Sequence, residues 1–226
     1  LKECDDLKTI AIVPALNEAR SIAGVVRGLK KAGADRIVVI DGHSKDKTVE
    51  KARKAGAVVV MQEGKGKGMA FQTFLRKEKI DGNAFYVMLD GDASYLPEEL
   101  GLITSELREG NDVVLGTRAV LVHNFKSFAH WLGAKGISLV ATILFFKRVP
   151  DVCTGYWGFT GNALKKLRVT AKRFDLEANL FAQSCKNGLR IKSIPISYKK
   201  RLGEAKLHVP DAFDIILHLF KQRFIY

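Results

Sequence analysis

The sequence predicts a single α/β domain of three layers, with helices on both sides of a mostly parallel central sheet. Three observations carry that expectation. Short apolar, β-branched runs recur through the first half of the chain. Amphipathic stretches separate them, which is the pattern of βαβ units with right-handed crossovers. Each run also ends in a loop rich in Asp, Asn, Gly or Lys, and in an open α/β sheet such loops share the ligand-binding edge.

Residues 9–15 (TIAIVPA) read as the first strand, being apolar, β-branched and ended by Pro14. Residues 18–31 place Ile22, Val25, Val26 and Leu29 on one helical stripe, which Gly33 stops. A second strand follows at 36–40 (RIVVI), then the turn DGHSKD and a helix through Ala55. The third strand is 57–61 (AVVVM), the next loop is EGKGKG at 63–68, and 69–79 is helical. AFYVML at 84–89 is the fourth strand, 97–108 a helix and 112–116 (DVVLG) the fifth strand. The second half is less regular. Residues 128–146, 175–187 and 211–224 are expected helices, 153–161 (CTGYWGFTG) holds a short strand, and 190–199 is a strand pair or one bent strand.

At 226 residues the chain buries one sizeable core. Lys and Arg number 37 against 24 Asp and Glu, and the net charge of +13 favours an anionic partner. The basic residues are spread over many helices without aromatics interleaved on one face, so a nucleic acid is not expected. Cys4, Cys153 and Cys185 are scattered and odd in number; a reducing, cytoplasmic setting is expected. The run LVATILFF at 139–146 falls short of the ~20 residues that span a bilayer. Phe125, Phe128, Trp131, Leu132 and Phe224 are candidate anchors for a peripheral membrane contact at the cytoplasmic face. The same apolar faces would equally pack on the sheet or in a homo-oligomer.

The chemistry-bearing residues gather in the loops after the strands. In YVMLDGDAS (86–94), Asp90 and Asp92 follow a buried strand, and in extended backbone residues two apart point the same way. Two such carboxylates suit Mg²⁺ or Mn²⁺, or else cap the next helix. Asp41 ends the second strand, placed for a base or ribose contact or for an Asp-Gly turn. Asn17 and Glu18 in PALNEA offer polar contacts or a helix cap. KGKG at 65–68 supplies backbone N–H groups and Lys67 ahead of a helix, a setting that favours anions. Neither a P-loop nor G-x-G-x-x-G is present. Arg118 in GTR leaves a strand near the acidic pair and suits a phosphate. Tyr156 and Trp157 wall a pocket or pack in the core, and Glu177 and Asp175 are acids in a first helical turn.

Taken in order, PALNE, DGHSKD, GKGKG, LDGDASYLPEE, LGTR, DVCTGYWGF, FDLEANL and RLGEAK resemble a family 2 glycosyltransferase of the GT-A fold. The likeness is greatest to dolichyl-phosphate mannose and dolichyl-phosphate glucose synthases and covers residues 9–210. It implies one domain over 1–226, with a nucleotide-sugar half (1–118) and an acceptor half (119–226). It implies Pro14, Ala15, Asn17, Glu18 and Asp41 around the nucleoside, and Lys67 and Gly68 beside the donor. Asp90 and Asp92 would hold a divalent metal, Mg²⁺ or Mn²⁺. Arg118 would meet the acceptor phosphate, Glu177 would lie near the sugar, and Arg201 and Lys206 would belong to a basic loop over the donor. The expected reaction is inverting transfer of a hexose from UDP-glucose or GDP-mannose to a polyprenyl (dolichyl) monophosphate. The alternative is a saccharide or other soluble hydroxyl acceptor, with Glu177 or Asp175 as general base.

Overall fold

The computed structural model describes residues 7–119, 125–199 and 209–225. In chain order the elements are β1 (Lys8–Ala15), α1 (Ile22–Lys31), β2 (Arg36–Asp41), α2 (Thr48–Lys54), β3 (Val58–Met61), α3 (Lys67–Lys77) and β4 (Ala84–Met88). A 3-10 turn (Pro97–Glu99) leads into α4 (Leu100–Arg108), followed by β5 (Val113–Ala119), α5 (Phe125–Phe145), β6 (Trp157–Thr160) and α6 (Gly161–Lys166). α7 (Leu176–Lys186), β7 (Ile191–Ser197) and α8 (Val209–Phe224) complete the chain.

One seven-stranded sheet runs in the order β3-β2-β1-β4-β6-β5-β7. β1 pairs in parallel with β2 and β4, and β7 with β5, while β6 runs antiparallel between β4 and β5. From β1 the chain first winds outward to β3 and then returns to the other side of β1 with β4. The order therefore reverses between β1 and β4, and the crevice at their carboxyl ends is the expected ligand site of such a sheet.

The strands carry apolar side chains on both faces, as a sheet covered on both sides requires. Ile12, Tyr86 and Met88 point into one core with Phe71 and Phe74 of α3 and Leu180 and Phe181 of α7. Their neighbours Ala11, Val13, Phe85 and Val87 point into the other, with α1 and with Leu100 and Ile103 of α4. On α1 the stripe Ile22, Val25, Val26 and Leu29 is buried as its spacing predicts. Each of these side chains contributes ~1.5–3 kcal/mol by burial, and Leu29→Ala alone would cost ~2–5 kcal/mol.

Three local expectations change. α1 starts at Ile22 rather than at 18, because residues 18 and 19 are drawn to the next loop: the Glu18 and Ala19 amides donate to Thr48 Oγ1 and Asp46 Oδ2. Residues 190–199 form one strand, with Pro195 on the sheet's outer edge, where a missing donor is tolerated. A short helix, α6, follows β6 and was not expected; Thr160 caps it by accepting from the Ala163 amide at 3.2 Å.

Candidate active site at the strand switch point

The loops after β1 and β2 are stitched into one wall. The Asn17 amide donates to Ser44 Oγ (2.8 Å), and Asn17 Oδ1 accepts from the Lys45 amide (2.8 Å). The Gly42 amide donates to the Ala15 carbonyl at 2.8 Å. Asp41 is fully buried, and its two oxygens accept from the Ser44 amide (2.8 Å) and hydroxyl (2.6 Å). Its carboxylate thus holds the turn that carries Ser44. Pro14 and Ala15 are the last residues of β1, level with Ile40 and Asp41. Glu18 is 6% exposed and its carbonyl accepts the Ser21 and Ile22 amides.

Left-handed backbone at residues other than glycine is uncommon and costs free energy. Among the described residues it occurs at Asn17, His43, Ala93 and Phe146. The first three all lie in loops at the carboxyl edge of the sheet. Strain is thus concentrated at the switch point.

The acidic pair differs from the strand-spacing expectation. β4 ends at Met88, and residues 91 and 92 already turn, so Asp90 and Asp92 do not share a direction by strand alternation. Asp92 is 5% exposed, and its Oδ1 accepts from the Ser94 amide (3.0 Å) and hydroxyl (2.5 Å). Asp90 turns toward α3, where its Oδ1 meets Lys67 Nζ at 2.5 Å. The same ammonium lies 2.6 Å from Glu177 Oε1 on α7. Asp90, Lys67 and Glu177 are far apart in sequence, and the fold makes them one mostly buried charge cluster, with Asp90 at its more open side. Burial opposes the charge on Lys67, but the two carboxylates outweigh it and hold its pKa well above the ordinary lysine value. Burial pushes the Glu177 carboxyl up, Lys67 opposes that shift and Asp90 adds to it.

The backbone amides at the end of KGKG are not free in the way its composition suggests. The Gly68 and Met69 amides at the start of α3 donate to the carbonyls of Arg173 (3.0 Å) and Lys172 (3.1 Å). They are therefore occupied by protein rather than presented to an anion. A Cβ on Gly68 would lie 2.3 Å from the Ala171 carbonyl oxygen, and one on Gly66 2.5 Å from that of Lys172. The glycines are there so that 171–173 can lie against this loop, which brings the start of α7, and Glu177 with it, to Lys67.

Arg118 ends β5 in a bidentate pair with Asp151, Nε–Oδ2 at 2.7 Å and Nη2–Oδ1 at 2.8 Å, and its guanidinium lies over the Tyr198 ring. The pair is mostly buried, at 16% and 8% side-chain exposure. Asp175, the second candidate base, pairs with His218 of α8 at 3.0 Å. Tyr156 and Trp157 are fully buried and belong to the two cores, so packing accounts for them. Arg201 and Lys206 lie outside the described residues. Sequence reasoning passed over Asp151, Ser44 and Gly155, and read Ser94 only as a turn residue before Pro97. Asp151 carried a weak signal, an acid directly after Pro150 in a segment already singled out.

Among the described residues no group of three or more His, Cys, Asp or Glu is placed to hold a metal ion. Asp90 and Asp92 are hard oxygen donors, and Mg²⁺ or Mn²⁺ needs only one or two carboxylates when substrate phosphates and water fill its remaining positions. The donor set fits a metal–diphosphate and not a metal caged by protein alone.

The family model described as "Glycosyl transferase family 2" matches residues 10–168. Glycosyltransferase AglJ of Haloferax volcanii is 30% identical over 218 residues, 93% of this chain and 70% of that protein. A dolichyl-phosphate hexose transferase of the same organism is 29% identical, over 90% of this chain and 87% of its own. Among solved structures, glucosyl-3-phosphoglycerate synthase from Mycobacterium tuberculosis, in complex with Mn²⁺, UDP and glucosyl-3-phosphoglycerate, superposes with a TM-score of 0.81. It shares 19% identity, with 99% of this chain and 82% of that chain covered, and shows that the fold here is the GT-A α/β fold.

These comparisons correct one expectation. A polyprenyl monophosphate acceptor rests on motif order, yet another complex of that synthase holds phosphoglyceric acid beside UDP-glucose and Mn²⁺. The same fold serves an acceptor with no polyprenyl chain, so motif order does not carry a lipid acceptor, and the soluble hydroxyl acceptor is the better supported. The peripheral membrane contact expected with the lipid acceptor is withdrawn with it, and nothing in the comparisons supports the homo-oligomer offered as its alternative. No described helix is long and apolar enough to cross a membrane.

Proposed function

The chain belongs to glycosyl transferase family 2, and on that footing we propose that it transfers a hexose, with inversion, from a nucleoside-diphosphate sugar to a hydroxyl of a soluble acceptor. UDP-glucose is the first donor to test, being the donor in the GT-A structures it resembles. The observation that carries the reading is the convergence of Asp90, Lys67 and Glu177 beside Asp92 at the strand switch point. Free thiols at Cys153 and Cys185 fit a reducing compartment such as the cytoplasm. Burial pushes both up to about 12, so neither is a nucleophile at neutral pH.

In this reading the stitched loops 14–18 and 41–45 receive the nucleoside. Asp90 and Asp92 are the residues that would hold Mg²⁺ or Mn²⁺, which would supply positive charge to offset the negative charge on the departing diphosphate. Lys67 stays protonated and adds a positive charge at the same place. A hydroxyl, unlike a phosphate dianion, must lose a proton as it attacks. Glu177 is the better base of the two acids. Burial raises its proton affinity above that of an ordinary glutamate, whereas His218 and the Arg173 amide hold Asp175 below the usual carboxylate range against the pull of burial. Glu177 accepts the proton while the acceptor oxygen displaces the diphosphate from the face of the sugar opposite to it.

Thermal shift with UDP, GDP and their sugars, with and without Mn²⁺, tests the donor half. One nucleotide series should raise Tm, and only with the cation present; no shift with any nucleotide contradicts the reading. A panel of hydroxyl acceptors with the winning donor then tests the transfer.

A further inference from the structure

The charge cluster has a feature that donor binding must disturb. Lys67 Nζ sits 2.5 Å from Asp90 Oδ1, the distance of a tight ionic contact. The other oxygen, Oδ2, lies beside Gly155, where an added Cβ would come within 2.5 Å of it. A cation ligated by Asp90 would therefore have to share the carboxylate with a lysine ammonium that already holds Oδ1. A cation bound at ~2.1 Å from the same oxygen would repel that ammonium strongly. Lys67 also has a second carboxylate within reach, Glu177 Oε1 at 2.6 Å, so leaving Asp90 does not strand its charge. Its side chain is only 12% exposed, and water does little to solvate the ammonium in place of a carboxylate.

We propose that Lys67 is an internal counter-ion, a positioning residue that holds Asp90 until a divalent cation displaces it onto Glu177. This deepens the function proposed above and rests on its assignment of Asp90 as a cation ligand. Before the donor arrives, the ammonium neutralises a buried and a partly buried carboxylate that would otherwise repel each other. When a cation and a diphosphate enter together, Lys67 would give up Asp90 and keep its contact with Glu177 Oε1, with its ammonium turned to the incoming phosphates. Cation binding and the placing of a positive charge on the donor then become one event. Metal should consequently bind poorly by itself and better with a diphosphate, which gives the displaced lysine a new partner.

The mechanism makes two variants move in opposite directions. Lys67→Met removes the competitor and leaves Asp90 and Glu177 facing each other, so Mn²⁺ alone, counted by electron paramagnetic resonance of the free ion, should bind at least about tenfold more tightly than to the unaltered chain. The metal-free variant should also melt at a lower temperature and be rescued by Mn²⁺. Glu177→Gln removes the alternative holder, and Mn²⁺ should bind more weakly. Lys67→Arg keeps a cation on Asp90 and should not tighten Mn²⁺ binding, which controls for simple damage to folding.

Weaker or unchanged Mn²⁺ binding in Lys67→Met, with circular dichroism unaltered, overturns the counter-ion role while leaving the metal assignment standing. If Lys67→Met and Glu177→Gln change affinity in the same direction, the cluster is structural and the proposal is wrong. If neither the unaltered chain nor any variant binds Mn²⁺, with UDP or without, the cation reading fails and this inference falls with it.

Discussion

Gly155→Ala is the substitution whose consequence the structure defines most narrowly. The new methyl would lie 2.5 Å from Asp90 Oδ2, 2.9 Å from its Cγ and 3.1 Å from Oδ1, so the carboxylate must move by a good part of an ångström. Gly155 is not among the residues with positive φ, so alanine suits its backbone and the effect is steric. Overpacking costs ~1–3 kcal/mol, and the lost freedom of the unfolded chain returns ~0.4–1 kcal/mol. For a chain of this size, Tm should fall by no more than about 10 °C. Catalysis should suffer far more, since misplacement of a reacting group by ~1 Å costs about a hundredfold. Steady-state transfer from the nucleotide sugar that gives the thermal shift is the assay, with saturating Mn²⁺ and circular dichroism confirming the fold. Gly24→Ala in α1, where a Cβ meets nothing within 4 Å, is the control and should be neutral or slightly stabilising. Transfer within about twofold of the unaltered rate in Gly155→Ala would refute the assignment of Asp90.

Asp151→Ala leaves the mostly buried Arg118 guanidinium without its carboxylate. It should cost ~3–5 kcal/mol in urea unfolding; a change under ~1 kcal/mol would show the pair to be expendable. Asp92→Asn should lower transfer at least about hundredfold with little loss of stability, and full activity after chelation of metal would contradict the metal role. The Asp175 carboxyl is depressed in the folded state, so its stabilisation is complete above the ordinary value of 3.8 and disappears as pH falls through the lowered one. The Tm difference between the unaltered chain and Asp175→Asn should therefore be full above pH ~4 and close on further acidification; a gap that persists there would refute the pairing with His218.

The first half of the fold was legible because hydrophobic periodicity alone distinguishes a buried parallel strand from an amphipathic helix. Ile12 and Val13 fall in opposite cores, and Ile22 to Leu29 form one stripe. The second half was harder to read for a physical reason. β6 is four residues long and runs antiparallel between β4 and β5, and α6 begins directly after it, so neither leaves a full period in the sequence. At the site, residue types and their edge of the sheet were legible: Asp41, Asp90, Asn17 and Glu18 all end or follow strands as expected. Long-range partners were not. The pairing of Lys67 with Glu177 spans 110 positions and that of Arg118 with Asp151 spans 33, and no local pattern encodes either. The glycines of KGKG illustrate the same limit: their composition suggests an anion loop, whereas their role is to admit the backbone of 171–173.

The account turns on a divalent cation joining Asp90 and Asp92 to the donor's diphosphate. A crystal soaked with UDP and Mn²⁺, with anomalous differences collected at the manganese edge, tests it most directly. The expected result is one anomalous peak within ~2.3 Å of an oxygen of Asp90 or Asp92 and of a diphosphate oxygen, with Lys67 moved off Asp90. Ordered nucleotide whose manganese lies away from both carboxylates, or nucleotide bound on another face of the sheet, would contradict the account.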